Sequence, residues 1–384
     1  MSSHHVLILG AGAAGVEAAR ELAPHHDLSV TLVGSTGQTP YNRTLVNKGV
    51  ALGLLAPELA ALPVPGGQPL ADSAREVDLE SRLVRTASGA SLPFDSLIVA
   101  TGSAARPLDP AIPGVPAALA AGRLTTLHSL ADAVLVRDRL AGGPARVVVL
   151  GGGLVAGETA SLLHGAGHLV TMVARSTVPG ADAFGGAVAE RLADAHRATV
   201  TTHFGRTPIV LNLDGQEVVV TLDDGTRLPA DLVVVAHGTV PAGPAPWADG
   251  AAVDDRLRID GTAAVYAAGG VAIHHDVSGR WRIDHWSDAA AQGQHAARTV
   301  LFDLGLAADP GRYAPRSPFA AVVHGRVLAA AGRTGPGPAA RVESGDPLVV
   351  VHEQDGVPLG VSTLDAGPAI AQWLPRLHAA PAPV

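Results

Sequence analysis

The 384 residues are 47% hydrophobic, 16% charged and only 3% aromatic, a composition that can fill the cores of two or three domains. The formal net charge of -8 argues against nucleic acid as a partner, because nonspecific binding to phosphates needs a basic face. The sequence has no cysteine, which excludes disulfides, a redox-active dithiol and thiolate ligands for a metal or an iron–sulfur cluster.

No stretch of the sequence stays apolar for long enough to span a bilayer. The first residues lead directly into an apolar run at residues 6–9, without the basic segment and cleavage site of a signal peptide. We therefore expect a cytoplasmic protein with no membrane span.

The chain opens with a predicted strand–helix–strand unit. Residues 6–9 have the apolar pattern of a buried parallel strand, residues 13–22 predict a helix, and residues 29–33 predict a second buried strand. The unit takes about 30 residues, as such units do. Residues 97–100 predict another strand, and a Pro- and Gly-rich run at 106–116 predicts a connection between domains.

The same pattern then repeats, with a predicted strand at 146–150, a helix at 154–164 and a strand at 169–173. A β-rich stretch follows, and then come buried strands and a long Ala-rich helix at 287–304. The part after Pro315 predicts a small α+β end domain. The repeated unit is the main feature of the organisation.

Each repeat carries a glycine-rich turn between its strand and its helix. The first turn runs from Gly10 to Gly15 and reads Gly-Ala-Gly-Ala-Ala-Gly, and the second begins at Gly151 and reads Gly-Gly-Gly-Leu-Val-Ala-Gly-Glu. The first glycine allows a tight turn, the second lets the backbone approach a pyrophosphate, and the third, where Ala is allowed, lets the helix pack on the strand. Because the helix N-terminus then faces the phosphates, the two turns predict two dinucleotide sites.

An acidic residue about twenty positions beyond such a turn usually binds the ribose of the nucleotide. The region around Ser35 has no carboxylate, and in the second unit a small residue followed by Arg175 replaces the acid. An acid would repel a 2′-phosphate, whereas Arg can bind it through charge-assisted hydrogen bonds. We therefore expect NADPH rather than NADH at the second site, although a solvated Arg at a strand end is also common.

With these features the chain resembles the FAD-dependent pyridine nucleotide oxidoreductases, specifically the ferredoxin-reductase-like branch that lacks a redox disulfide. The resemblance covers about residues 6–304. Besides the two turns, it is carried by Pro40-Tyr41-Asn42-Arg43 with Lys48, by Ile98-Val99-Ala100-Thr101-Gly102, by Val265-Tyr266-Ala267-Ala268-Gly269-Gly270, and by Asp284-His285-Trp286.

The resemblance implies a role for each of these segments. Arg43 and Lys48 would lie near FAD, and the turn after residue 265 would face the ribityl chain and the pyrophosphate. Glu158 matches a carboxylate that family members keep near the nicotinamide pocket. His285 would lie close to the isoalloxazine ring, where it could tune or protonate the flavin, and a purely structural histidine is the alternative.

Two carboxylates that commonly hold FAD in this family are absent. The late motif ends in Gly270 instead of the usual Asp, and no acid stands near Ser35. Each lost hydrogen bond to a charged group is worth about 1–3 kcal/mol. Together these losses would weaken FAD binding by about two decades or more. At the position of the family's aromatic motif near the flavin, the sequence has Pro318 and Phe319 and no Trp.

The predicted catalytic residues are Glu158, Lys48 and His285. No metal site is predicted, because the adjacent His274 and His275 cannot readily converge on one ion, and we expect a surface loop there. Trp281 and Trp286 are interpreted as core or dimer packing. The predicted cofactor-binding residues are Gly10, Gly12, Ala14, Gly15, Ser35, Arg43, Lys48, Ala100, Thr101, Gly102, Gly151, Gly153, Leu154, Val155, Glu158, Arg175, Gly238, Gly269, Gly270, His285 and Trp286.

We predict an α/β fold with two Rossmann-like dinucleotide-binding domains, one of them discontinuous, and a small α+β C-terminal domain. The predicted bounds are 1–110 and 240–310 for the FAD-binding domain, 111–239 for the NAD(P)H-binding domain and 311–384 for the C-terminal interface domain.

The predicted function is a flavin-dependent oxidoreductase that takes a hydride from NADPH and passes electrons to an external acceptor, with the flavin carrying the chemistry. The acceptor stays open between a small iron–sulfur protein, a quinone and an organic substrate. A homodimer is a further hypothesis. Two alternatives remain: a flavin-weak or flavin-less relative that acts as a non-catalytic nucleotide-binding scaffold, and an enzyme that uses flavin as a diffusible substrate.

Overall fold

The computed structural model describes residues 3–35, 39–215, 217–277 and 279–379. Within these ranges the chain forms two compact units. The first unit comprises Met1–Asn42, Ala61–Ala104 and Thr239–Ser317, and the second comprises Arg43–Ala60, Ala105–Gly238 and Pro318–Val384.

The strands and helices are numbered separately in chain order. The strands are β1 His4–Leu9, β2 Leu28–Gly34, β3 Leu70–Ala71, β4 Ala74–Asp78, β5 Leu83–Thr86, β6 Ser91–Pro93, β7 Ser96–Val99, β8 Ser103–Ala105, β9 Leu124–Thr126, β10 Arg146–Leu150, β11 Leu169–Ala174, β12 Thr201–Phe204, β13 Pro208–Asp214, β14 Glu217–Leu222, β15 Arg227–Ala230, β16 Leu232–Val235, β17 Thr239–Pro241, β18 Ala251–Ala252, β19 Val265–Ala267, β20 Ala272–Asp276, β21 Gly279–Trp281, β22 Pro318–Val323, β23 Arg326–Gly332, β24 Ala339–Gly345, β25 Leu348–Gln354 and β26 Val357–Leu364. The helices are α1 Ala13–Leu22, α2 Val115–Ala120, α3 Leu130–Leu140, α4 Leu154–Gly165, α5 Ala181–Phe184, α6 Gly186–Thr199, α7 Trp286–Asp303 and α8 Gly367–Trp373, with a π-helix at Val46–Val50 and 3₁₀ helices at Pro57–Ala60 and Leu374–Arg376.

The first unit is centred on a parallel sheet with the strand order β19-β7-β1-β2-β3. The central strand β1 places Val6 opposite Val30 of β2 on one side and opposite Ser96 of β7 on the other. Residues 6–9 are all buried, so the strand is covered on both faces of the sheet. A parallel strand covered on both faces has a continuous apolar run rather than an alternating pattern, and β1 has this kind of sequence.

Small residues let helix α7 approach helix α1 closely. A Cβ on Gly293 in α7 would overlap the backbone of Ala14 in α1. Ala18 of α1 and Ala297 of α7 are also fully buried in the core of this unit. Because protein interiors are close-packed, this short approach requires small side chains, which agrees with a composition rich in Gly and Ala and poor in aromatic residues.

The second unit contains another parallel sheet, with the order β12-β11-β10-β16-β9. Its strand β10 places Val148 opposite Thr171 of β11 and opposite Val233 of β16. The hairpins β13-β14-β15 form a separate antiparallel sheet. Val148 of β10 and Val220 of β14 belong to one apolar core, so the two sheets are packed together.

The end of the second unit is an antiparallel sheet with the order β22-β23-β26-β25-β24. Val349 of β25 shares an apolar core with Trp373 of α8, whereas the next residue, Val350, shares a different core with Phe184 of α5. Successive side chains of a strand point to opposite faces. The sheet is therefore covered by a helix on each side.

The predicted repeat of strand–helix–strand units is confirmed, as is the α/β fold class with parallel sheets. Helix α1 and strand β10 have the predicted bounds, α4 ends one residue later than predicted, and α7 begins and ends one residue earlier than predicted. The predicted domain bounds stay a prediction. No helix in the described ranges combines the length and the apolar character that crossing a membrane requires.

A buried carboxyl group lies at the start of α7 in the first unit. Asp288 is 2% exposed and accepts hydrogen bonds from Gln292 Nε2 at 2.6 Å and from the Tyr313 hydroxyl at 2.7 Å. Gln292 in turn accepts a hydrogen bond from the backbone N–H of Gly269 at 2.8 Å. Burial raises the pKa of Asp288 to about 6, because its two neutral partners do not offset the lost hydration of the charge.

We expect Asp288→Asn to remove part of the pH dependence of stability. The folded protein binds the Asp288 proton more tightly than the unfolded chain, so this group stabilises the fold at about pH 4 and loses that contribution as the pH rises through about 6. The free energy of unfolding of the variant, minus that of the wild type, should rise by up to about 3 kcal/mol between these limits. Urea unfolding across this pH range measures the difference.

Asp309→Asn is the matched control, since the Arg256 guanidinium lowers the pKa of Asp309 to about 2. That carboxylate stabilises the fold at neutral pH and loses its contribution only in stronger acid, so its pH profile has the opposite sign. Parallel profiles for wild type and Asp288→Asn between about pH 4 and pH 6 would contradict the account of Asp288.

Candidate functional site

The first glycine turn connects β1 to α1. Gly10 has a φ of +105°, and a Cβ there would overlap the carbonyl oxygen of Ala100 after β7. Gly15 must also be glycine, because its Cβ would overlap the carbonyl oxygen of Gly10. At Gly12, by contrast, no atom of the described residues lies within 4 Å of the position a Cβ would take, and α1 has no side-chain cap. The uncapped helix start beside open space fits an anionic pyrophosphate.

The turn after β19 lies against the first turn of α1. A Cβ on Gly269 would lie 3.3 Å from the Cβ of Ala14, and the N–H of Ala268 bonds to the carbonyl oxygen of Val99 at 3.0 Å. Thr101, two residues beyond β7, has a buried hydroxyl that finds no hydrogen-bond partner in the described part of the chain. The structure therefore brings together the predicted FAD residues of the first turn, of residues 100–102 and of residues 269–270.

The second glycine turn, between β10 and α4, repeats the geometry of the first. A Cβ on Gly151 would overlap the carbonyl oxygen of Ala236 after β16. Gly153 caps α4 with φ −86° and ψ −172°, close to the −84° and −165° of Gly12. Open space again lies in front of this residue within the described structure, and α4 has no side-chain cap. This turn therefore fits a second pyrophosphate.

Arg175 lies at the end of β11, next to this second turn. A Cβ on Gly152 would lie 3.2 Å from the Cβ of Ala174, which places the strand end beside the turn. Arg175 is exposed and forms no ion pair with any described residue. An uncommitted guanidinium at this place can bind an additional phosphate of a nucleotide.

A buried carboxylate on α4 is held by two residues of the π-helix at Val46–Val50. Glu158 is 6% exposed, and its oxygens lie 3.0 Å from Lys48 Nζ and 2.7 Å from Asn47 Nδ2, which donates a hydrogen bond. A buried charge is costly unless it is paired and hydrogen-bonded. The predicted residues Lys48 and Glu158 are thus in direct contact, although 110 positions separate them.

Asn47 is a site residue that the sequence interpretation missed. It is buried, and its amide completes the hydrogen bonding of Glu158. Nothing in the local pattern distinguishes Asn47 from any other polar residue, because its role depends on the contact between the π-helix and α4. Its position directly before Lys48 is the only signal that the sequence contains.

Further predicted site residues of the second unit lie before the π-helix, at the start of α4 and after β16. Arg43 Nη1 is 3.1 Å from His128 Nε2. Leu154 and Val155 are the first two residues of α4, and Val155 is exposed. Gly238 follows β16 with a φ of +104°, and no described atom lies within 4 Å of its would-be Cβ.

His285 and Trp286 start helix α7 in the first unit. His285 is the N-cap residue, and its Nδ1 accepts a hydrogen bond from the N–H of Ser287 at 3.3 Å. Trp286 is the first residue of the helix and is half-buried. Ser35 follows β2 and is exposed, and the neighbouring residues 36–38 of the predicted ribose region lie outside the described residues.

The expectation of a surface loop at residues 274–276 is wrong. These residues belong to strand β20, which pairs with β21 in an antiparallel hairpin. His274 is buried, and its ring stacks on Trp281 with the ring centres 4.2 Å apart, so Trp281 serves as packing. Among the described residues no three His, Cys, Asp or Glu side chains are grouped so that they could hold a metal ion.

The two glycine turns, each at the start of an uncapped helix on a parallel sheet, define the class of proteins with two dinucleotide sites. A family model described as pyridine nucleotide-disulphide oxidoreductase matches residues 4–293. The chain belongs to this family. It contains no cysteine and so represents a member without the redox disulphide.

Similar proteins support a narrower assignment. The chain is 29% identical over 382 residues to the ferredoxin–NAD(+) reductase component of a biphenyl dioxygenase system from Paraburkholderia xenovorans strain LB400, with 94% of this chain and 90% of that protein covered. It is 30% identical to the corresponding component of an anthranilate 1,2-dioxygenase system from Burkholderia cepacia, over 78% of this chain and 76% of that protein.

A solved structure shows the same architecture. The crystal structure of a covalent putidaredoxin reductase–putidaredoxin complex matches with a TM-score of 0.85 and 25% identity, over 99% of this chain and 95% of that chain. The protein is therefore an FAD-dependent NAD(P)H oxidoreductase of the ferredoxin-reductase-like type, and the relatives support this interpretation over a non-catalytic scaffold. The assignments of individual residues to each cofactor stay predictions.

We expect Gly12→Val and Gly153→Val to separate the two nucleotide sites. Both residues are extended N-caps with open space ahead, so a Val side chain should fold with a change in stability within about 1 kcal/mol. The side chain then fills the space that the pyrophosphate needs. Gly12→Val should weaken FAD binding to the apoprotein at least about tenfold, and Gly153→Val should weaken binding of the nicotinamide nucleotide by a similar factor.

Each variant is the control for the other. Flavin fluorescence measures FAD affinity, and anaerobic titration of the FAD-loaded Gly153→Val variant measures nicotinamide affinity. Equal loss of FAD affinity in both variants would contradict the assignment of one nucleotide to each turn.

Proposed function

We propose that this enzyme carries electrons from NADPH through FAD to a small ferredoxin-type iron–sulfur protein. The observation that carries the proposal is the complete absence of cysteine in a chain that otherwise has the two dinucleotide turns of its family. Electrons from the nicotinamide nucleotide cannot pass to a dithiol of the chain, so they must leave for an external acceptor.

The kind of acceptor is inferred from the relatives. The two similar reductase components are named as ferredoxin reductases, and the matching crystal structure holds a putidaredoxin reductase covalently joined to putidaredoxin. These proteins resemble this chain over most of its length. A small iron–sulfur protein is therefore a better hypothesis for the acceptor than a quinone or an organic substrate.

Arg175 supports NADPH over NADH as the electron donor. The residue is exposed at the end of β11, where the adjoining Ala174 lies beside Gly152 of the second turn. No carboxylate occupies this strand end to repel a 2′-phosphate, and Arg can bind that group with two parallel hydrogen bonds. The relatives are named as NAD(+) reductases, so this preference would be a difference between them and this chain.

We assign to Lys48 and Glu158 the stabilisation of charge that develops during the reaction. When bound, FAD supplies the chemistry, because it accepts a hydride and can release electrons one at a time. The ion pair fixes Lys48 Nζ at 3.0 Å from Glu158, and Asn47 prevents the carboxylate from turning away. A cation held in this way can stabilise negative charge that develops nearby. The homodimer and the cytoplasmic location stay predictions.

We expect Arg175→Gln to lower kcat/KM for NADPH at least about tenfold and to change the value for NADH by less than about twofold. The expected loss is that of one charge-assisted hydrogen-bonding group at the 2′-phosphate. Steady-state kinetics with each nucleotide measures it, and Arg227→Gln, which changes an exposed Arg of β15 in the same unit, is the control. A wild type that uses NADH better than NADPH would refute the preference.

The acceptor is tested with the full chain loaded with FAD. Anaerobic NADPH should bleach the flavin, and a small [2Fe–2S] ferredoxin added in excess should then lose its visible absorbance over several turnovers. The Gly153→Val variant should fail in the first step. If NADPH bleaches the flavin and reduces a benzoquinone while the ferredoxin stays oxidised, the proposed acceptor is wrong.

A further inference from the structure

We propose that Asp284 supplies the flavin-binding carboxylate that the turn after β19 lacks. The family motif places an acid where this chain has Gly270, and a Cβ on Gly270 would lie 2.5 Å from Asp284 Oδ1. The space that a side chain at residue 270 would enter is thus occupied by a carboxylate from a different part of the chain. The inference rests on FAD as the resident cofactor and goes beyond the proposed function in naming a residue that holds it.

The Asp284 carboxylate is fixed in this place by its neighbours. Ser103 Oγ donates a hydrogen bond to Oδ1 at 3.0 Å, and Thr239 Oγ1 donates one to Oδ2. Arg282 Nη1 lies 3.8 Å from Oδ2 and donates a hydrogen bond to the carbonyl oxygen of Gly270 at 2.9 Å. The same arginine therefore ties the carboxylate to the backbone of the turn.

The location agrees with a role at the cofactor. A Cβ on Gly269 would lie 3.3 Å from the Cβ of Ala14 in the first turn of α1, and Gly270 is the next residue. The Asp284 carboxylate therefore lies beside Gly270, and the preceding residue, Gly269, is the one that approaches the first glycine turn. The Asp284 side chain is 29% exposed, so part of it is accessible to a ligand.

The chemistry of the carboxylate selects the kind of group it can bind. An ionised carboxylate only accepts hydrogen bonds and has about four positions for donors. The described protein donors are the hydroxyls of Ser103 and Thr239, which leaves capacity for further donors. A phosphate would be repelled, whereas the hydroxyl groups of a sugar-like chain are suitable donors. We therefore assign Asp284 to the hydroxyls of the flavin ribityl chain.

The first test is the FAD affinity of the full-length apoprotein. Asp284→Asn should weaken FAD binding at least about tenfold, as expected for the loss of a hydrogen bond to a charged group. The matched control is Asp303→Asn, which alters a carboxylate of the first unit with the same side-chain exposure of 29%, bonded by Arg258 and Tyr266. Its FAD affinity should stay within about twofold of the wild type. FAD affinity of Asp284→Asn within twofold of the wild type would overturn the proposal.

Fragments of the cofactor identify which hydroxyls are bound. FMN carries the ribityl chain without adenosine, and ADP carries the adenosine ribose without the ribityl chain. Asp284→Asn should weaken FMN binding and leave ADP binding unchanged. Weakened ADP binding with unchanged FMN binding would overturn the assignment to the ribityl chain.

The second test uses the position that lost its acid. Gly270→Asp alone should weaken FAD binding, because the new side chain would meet the Asp284 carboxylate within 2.5 Å and add a like charge. In combination with Asp284→Ala, the same substitution should restore binding relative to Asp284→Ala alone. Tighter FAD binding by Gly270→Asp in the wild-type background would show that Asp284 does not do the work of the missing acid at residue 270. This result would overturn the proposal.

These outcomes are distinct from a failure of the proposed function. A wild-type apoprotein that binds no FAD would refute the flavoenzyme itself. A wild type that binds FAD and reduces ferredoxin, with Asp284→Asn equal to it in FAD affinity, would refute only the role of Asp284. Circular dichroism of each apoprotein variant confirms that loss of binding is measured on folded protein.

Discussion

Both nucleotide turns depend on one steric constraint, the contact of two backbones where adjacent parallel strands end. At Gly10 the partner is the carbonyl oxygen of Ala100, and at Gly151 it is the carbonyl oxygen of Ala236, each placed where a Cβ would overlap it. With a side chain at either glycine the strand ends would separate. The helix that follows would then no longer start beside the open space at the turn. Its free N–H groups could then no longer bind an anion placed there.

The same constraint extends from the turns into the core. Gly15 lies on the backbone of Gly10, and Gly293 of α7 lies on the backbone of Ala14, so strand, turn and two helices are in contact through atoms of the main chain. Close packing of this kind excludes large side chains. The glycine-rich turn is therefore one end of a continuous arrangement of small residues, and the low aromatic content of the whole chain agrees with it.

The parts of this structure that the sequence predicts well are those set by local periodicity. The buried strands β1 and β10 are continuous apolar runs, and α1 follows a glycine turn whose spacing is fixed by the turn itself. The hairpin at residues 272–281 was missed because its strands are short and the His pair in β20 resembles a polar loop. The family resemblance is a signal for Lys48 and for Glu158 as separate site residues, but it does not predict the ion pair between them, because that contact joins distant parts of the chain. Asn47 had no such signal.

Three acids in this chain show that the surroundings of a carboxyl group, and not its place in a motif, decide what it does. Glu158 is buried against Lys48 and Asn47, so its charge is compensated inside the protein. Asp288 is buried with only the neutral Tyr313 and Gln292 as partners, and its pKa rises accordingly.

Asp284 lies between these extremes, since it is partly exposed, bonded by two hydroxyls and close to one arginine. The absence of an acid at Gly270 implies weaker FAD binding only if no other residue places a carboxylate at the same point. Hydrogen bonding depends on where the acceptor oxygens are, and Asp284 Oδ1 lies 2.5 Å from the position that a Cβ at residue 270 would take. The loss of a motif acid therefore affects binding only if the space that it would have filled holds no other acid, and at Gly270 that space holds the carboxylate of Asp284.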